Sequence, residues 1–218
     1  MRLRRNSPRR IFWHERRGKA EVDMTQDEIE AFFSAKGRYL CARWSRPVAP
    51  VIFGLADESL AIFRAAITAV LRDIRHPLTE TDPEMGANLM VFFVRDWVEL
   101  DDVPDLATLT GLPDLSRRLI ADKAEQYRLF RFDPDGSIRA CLVFIKMSGA
   151  LADTHPGQLA ETIAVGAMLT FAREVRPSEG VAALLRAAYD PIMPAVAQDP
   201  SHALRLAARL AMSSPRLS

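Results

Sequence analysis

The run Asn88–Val94 continues after its asparagine as Leu-Met-Val-Phe-Phe-Val, six apolar side chains with no polar one among them. A strand sends successive side chains to opposite faces, so this run has no face to offer water. It is expected to be a central strand buried on both sides, and the chain must supply cover for both faces of its sheet. A hairpin is the second constraint. Apolar runs at 127–132 and 138–147 flank Asp133-Pro134-Asp135-Gly136, and Asp-Gly between two such runs is a strong turn signal.

Helical spacing supplies the cover. Thr25 and Glu28 form a capping-box pattern that opens a helix with Ile29, Phe32 and Phe33 on its apolar face, expected to end near Gly37. Asp57 reads as the N-cap of a long helix carrying Leu60, Phe63, Ile67, Val70, Leu71 and Ile74, stopped by His76-Pro77. Between these helices lie strand candidates at 39–44 and 48–53, the second an edge or irregular strand because of Pro47 and Pro50. Pro104-Asp105-Leu106 and Pro113-Asp114-Leu115 each set an aspartate before a short helix. Further helices are expected over 157–173, after Ser178, and from Asp199-Pro200. The fold class is α+β, a mixed or antiparallel sheet covered by helices. Residues 1–24 read as a mobile basic arm, 25–212 as one domain and 213–218 as a tail.

A chain of 218 residues buries roughly 70% of its unfolded surface and needs neither disulfide nor metal to fold. Its two cysteines, Cys41 and Cys141, sit in apolar runs and read as small buried hydrophobes. No Cys-x-x-Cys, phosphate-binding glycine loop or Gly-x-Ser-x-Gly occurs, so no cofactor is implied and no motif names a substrate class. No apolar run reaches the ~18 residues of a membrane span. Arg9-Arg10-Ile11-Phe12 resembles a twin-arginine export signal, but His14, Glu15, Arg16, Arg17 and Lys19 follow where such a signal is apolar, so a cytoplasmic protein is expected.

Charge is spread unevenly. Residues 1–19 hold eight basic residues against Glu15, a net of +7, while the remainder carries a net of −6. Arg4, Arg5, Arg9 and Arg10, with Phe12 and Trp13 beside Ile11, form a cationic and apolar arm suited to an anionic membrane surface, or to an acidic protein partner. A nucleic-acid partner is disfavoured because the acidic remainder would repel a duplex.

Three segments resemble a family of bacterial zincin-like proteins of unknown function. They are Gly86-Ala87-Asn88-Leu89-Met90-Val91-Phe92-Phe93-Val94, Leu159-Ala160-Glu161, and Leu184-Leu185-Arg186-Ala187-Ala188-Tyr189-Asp190-Pro191-Ile192-Met193-Pro194, and with their spacing they cover roughly residues 48–212. A long helix on a sheet, a late hairpin or edge strand, then a helix lining a cleft is also the order of the zincin-like metallopeptidase core. The resemblance implies a zincin-like core without the metal site. A zincin sets two histidines at i and i+4 with a glutamate between them on one helix. Here that helix reads Gln158-Leu159-Ala160-Glu161-Thr162-Ile163-Ala164-Val165 and contains no histidine.

Other candidate sites each have a plain structural alternative. Glu161 and His155 are the weak catalytic candidates, since a carboxylate and an imidazole can exchange protons when burial tunes them. Arg43 with Trp44, and Arg95 with Trp97, could stack a planar ligand or grip an anion. The favoured alternative is a tryptophan closing the core while the arginine reaches water. Glu80, Asp82 and Glu84 alternate in a loop read as solvated and acidic, with a hard cation as the minor alternative. The expectation is thus a non-catalytic accessory or interaction protein acting through its basic arm. The alternatives are a metal-independent hydrolase near Glu161 and a nucleic-acid-binding module.

Overall fold

The computed structural model describes residues 24–213. Helix α1 (Gln26–Phe33) leads into a short hairpin of β1 (Ser34–Ala35) and β2 (Arg38–Tyr39), then β3 (Cys41–Ala42), β4 (Pro50–Phe53) and the long helix α2 (Asp57–Asp73). Strand β5 (Leu89–Val94) is followed by a 3-10 helix (Trp97–Asp102), α3 (Leu106–Thr110) and α4 (Leu115–Ala121). The hairpin β6 (Gln126–Phe132) and β7 (Ile138–Lys146) comes next, then α5 (Gly149–Ala152), α6 (Pro156–Gly166), α7 (Glu179–Ala188), β8 (Val196–Ala197) and α8 (Ser201–Ser213).

The main sheet is mixed, in the order β4-β5-β7-β6. β4, β5 and β7 run parallel, and β6 closes one edge antiparallel to β7. All six residues of β5 are buried, and they divide as the pleat requires. Leu89, Val91 and Phe93 enter a core shared with α1, α2, α6, α7 and α8, while Met90, Phe92 and Val94 enter a second core under the 3-10 helix, α3 and α4. Register is marked by an aromatic row on the second face. Phe53 pairs with Phe92, Phe92 with Phe144, and Phe144 with Tyr127, with ring centroids 4.9, 5.1 and 6.3 Å apart. A one-residue slip of any of these strands would take its ring out of the row.

The α+β class, the two-sided central strand and the hairpin are all present, and β4 is an edge strand. Gly136 takes φ +84° in the hairpin turn, a conformation open to glycine at little cost. Thr25 and Glu28 form the capping box, and Ser178 caps α7.

Several local expectations change. The first helix stops at Phe33 rather than near Gly37, because Lys36 and Gly37 both adopt positive φ and turn the chain into the β1–β2 hairpin. Asp57 lies inside the first turn of α2, where its charge suits the helix dipole, and Ala56 occupies the cap. The strand expected at 39–44 divides among β2, β3 and isolated bridges at Arg43 and Trp44. The helix expected to reach residue 173 ends at Gly166. Beyond it Leu169 bridges to Arg43, and the Thr170 hydroxyl donates to the Leu40 carbonyl and accepts from the Ala42 amide. Those tertiary bonds to the β3 region outweigh continued helix.

Candidate functional site

The arm candidates Arg4, Arg5, Arg9, Arg10, Phe12 and Trp13 lie outside the described residues. Both tryptophans take the structural role favoured above, closing the core. Trp44 is fully buried and its indole N–H donates to the Ala167 carbonyl at 2.8 Å. Trp97 is equally enclosed and donates to the Ala124 carbonyl at 2.8 Å. Neither ring has a face left to stack a ligand, and the two sit in different cores on opposite faces of the sheet. Arg43 lies over the Tyr189 ring and reaches the Met193 carbonyl at 3.4 Å, and its Nε is buried without a hydrogen-bond partner among the described residues. Arg95 is exposed.

His155 is exposed and caps α6, its Nδ1 accepting from the Gly157 amide at 3.1 Å. Glu161 is half-buried on the same helix, yet the cleft beside that helix is lined by its neighbours Thr162 and Ile163. The loop at 80–84 is more structural than a solvated acidic turn. Asp82 is buried and accepts from the Glu84 and Met85 amides and from Asn88, while Glu84 reaches Arg139 at 2.9 Å and Arg46 at 3.5 Å. Burial alone would raise the Asp82 carboxyl, but the Met85 and Glu84 amides, Asn88 and Arg46 together hold it below the usual range. Among the described residues no group of three or more His, Cys, Asp or Glu is arranged to hold a metal ion.

The concave feature with the right chemistry lies between β6 and α6. Its volume is about 290 Å³, near the lower end of small-ligand sites. Tyr127 and Leu129 pack on the second core and Phe130 on the first, and Gln126, Tyr127, Arg128 and Phe130 line the cleft. Val143 of β7, Ile163 of α6 and Val175 add apolar lining; Thr162, Arg173 and Glu174 add polar groups.

Arg128 is the unusual group there. Its Nη2 donates to the Phe171 carbonyl at 3.0 Å, and its guanidinium lies 5.4 Å from the Phe130 ring centroid. Its Nη1 packs against Gly166, where a Cβ would overlap it. Among the described residues no carboxylate comes within ion-pair distance of it. Glu174 is near enough to be felt, but its carboxylate accepts from Gln126 at 2.7 Å. Desolvation lowers the Arg128 pKa, against the smaller opposing influence of Cys141 and Glu174. Sequence reading missed this residue because an arginine in an amphipathic strand looks ordinary. The faint signal is Gly166, a glycine within the apolar stretch of the helix expected over 157–173.

Charge is also segregated across the sheet. Segment 96–125 holds eight acidic residues, all exposed, against three basic ones, a net of −5. The described residues as a whole carry 25 acidic and 20 basic residues, also −5, so the rest of the body is neutral. The acidic helices cover the second core, whereas α1, to which the arm is joined, packs on α8 over the first. No helix among the described residues is long and apolar enough to cross a membrane.

No protein-family model, curated protein or solved structure matches the chain.

Proposed function

We propose that this is an interaction protein that presents its cationic arm to an anionic surface or an acidic partner. One observation carries the reading: the arm joins the body at α1, across the sheet from the layer that holds the body's net negative charge. A chain polarised in this way can bring its arm to an anionic surface with its acidic helices turned away. Each cation near such a surface contributes about 1 kcal/mol, weakened by salt, and the Ile11-Phe12-Trp13 triplet adds apolar contact. The order of elements supports a zincin-like ancestry for the body. A long helix packs on the sheet, β6 is the antiparallel one of its two edge strands, and α6 lines the cleft beside that edge.

The test is co-sedimentation with phosphatidylcholine vesicles, with and without phosphatidylserine, beside a pull-down from native lysate. Both use the full chain and a chain lacking residues 1–19. Salt-sensitive retention on anionic vesicles, or of a defined acidic protein, that disappears with the arm supports the reading and names the target. Equal behaviour of the two chains in both assays would refute it.

A further inference from the structure

We propose that Arg128 anchors a carboxylate in the cleft between β6 and α6, with the apolar body of the ligand resting on Phe130, Val143, Ile163 and Val175. This goes beyond the arm and does not depend on it. A guanidinium has five N–H donors and cannot shed its charge, so burying it without a partner is costly. Here the Phe171 carbonyl accepts a hydrogen bond from it, and among the described residues no carboxylate pairs with it. The remaining donors sit in a group that lines a cleft of about 290 Å³. Gly166 keeps the helix surface back from Nη1, where any side chain would displace the guanidinium.

The chemistry of the lining narrows the ligand. A planar fork of donors matches a carboxylate in two-point contact. The lining also contains Glu174, whose negative charge disfavours a dianion such as phosphate and leaves a monoanion as the better fit. The apolar lining calls for an aliphatic or aromatic body. A free hydrophobic acid and the C-terminal residue of a peptide share this chemistry, and both are small enough for the volume.

Calorimetric titration of the full chain tests it with four probes: 4-methylpentanoate, 4-methylpentanamide, and a pentapeptide ending in leucine with a free or an amidated C-terminus. The expected result is saturable binding of a carboxylate form and at least about tenfold weaker binding of the matching amide. Arg128→Gln and Gly166→Ala should each lose binding by a similar factor. Gly166 lies in helical backbone, where alanine is the better helix former, and thermal melting checks that both variants fold. Binding of the free acid alone or of both acids indicates a small-molecule ligand, and binding of the peptide alone indicates a chain terminus. Acid and amide binding alike, folded variants binding as the parent does, or no saturable binding of either carboxylate would overturn the proposal.

Discussion

Arg46 and Arg128 are both half-buried guanidiniums at the margin of the same sheet. Arg46 makes two bonds to Asp133, at 2.8 and 3.1 Å, and lies 3.5 Å from Glu84 and 3.6 Å from Asp82. Arg128 has a backbone carbonyl, an aromatic ring and a glycine, and Glu174 is held by Gln126. Burial alone would lower the pKa of both. At Arg46 the Asp133, Glu84 and Asp82 carboxylates reverse the effect, and at Arg128 it persists. His202 shows a third solution. It is buried, its Nδ1 meets the Tyr39 hydroxyl at 3.0 Å, and its Nε2 has no hydrogen-bond partner among the described residues. An imidazole can meet burial by giving up its proton, and a guanidinium cannot. Arg46 is thus a tie within the fold, whereas Arg128 carries a charge that no carboxylate among the described residues pairs with.

The largest expected effect is on the tie. Arg46→Met takes the cation from both Asp133 and the buried Asp82 and should cost about 3 kcal/mol in urea denaturation. A loss under about 1 kcal/mol would mean that the amides around Asp82 suffice and would break the contrast. Next is His202. Burial, then Arg205, depresses its pKa from 6.5 to about 4. A depressed folded pKa means that the unfolded chain binds the proton first, so its contribution is complete above pH 6.5 and is lost as pH falls toward 4. About 2 kcal/mol should be gone by pH 5, and His202→Gln should flatten that part of the profile. An unchanged slope in the variant would show that His202 is already charged in the fold.

What was legible in the sequence follows from how local each signal is. The six apolar residues of Leu89–Val94 specify a two-sided strand without reference to anything else, and Asp135-Gly136 specifies its turn in the same way. The end of α6 was not legible, because Thr170 stops the helix by bonding to Leu40 and Ala42 about 130 residues earlier. The tryptophans could be read either way until their indole partners, Ala167 and Ala124, were fixed in space. The cleft was the least visible feature. It needs Arg128 to face Gly166 and Phe171, 38 and 43 residues further along the chain, and no short window contains that juxtaposition.

Smaller effects sharpen the contrast from the other side. Arg128→Met removes a desolvated charge and keeps its volume, so stability should stay within about 1 kcal/mol of the parent or rise. A loss matching that of Arg46→Met would make Arg128 a structural residue. Glu174→Gln should leave stability within about 0.5 kcal/mol and tighten carboxylate binding several-fold, because the charge competing for Arg128 is gone. Weaker binding instead would mean that Glu174 positions the ligand through Gln126.

The most direct measurement follows the arginine side-chain Nε–H resonances of the full chain by NMR during titration with 4-methylpentanoate and with the leucine-ended peptide. Arg46 serves as the internal control. The resonance of Arg128 should shift saturably with at least one of the two carboxylates while that of Arg46 stays in place. Resonances that move together, or an Arg128 resonance that neither carboxylate moves, would contradict the assignment of one arginine to the fold and the other to a ligand.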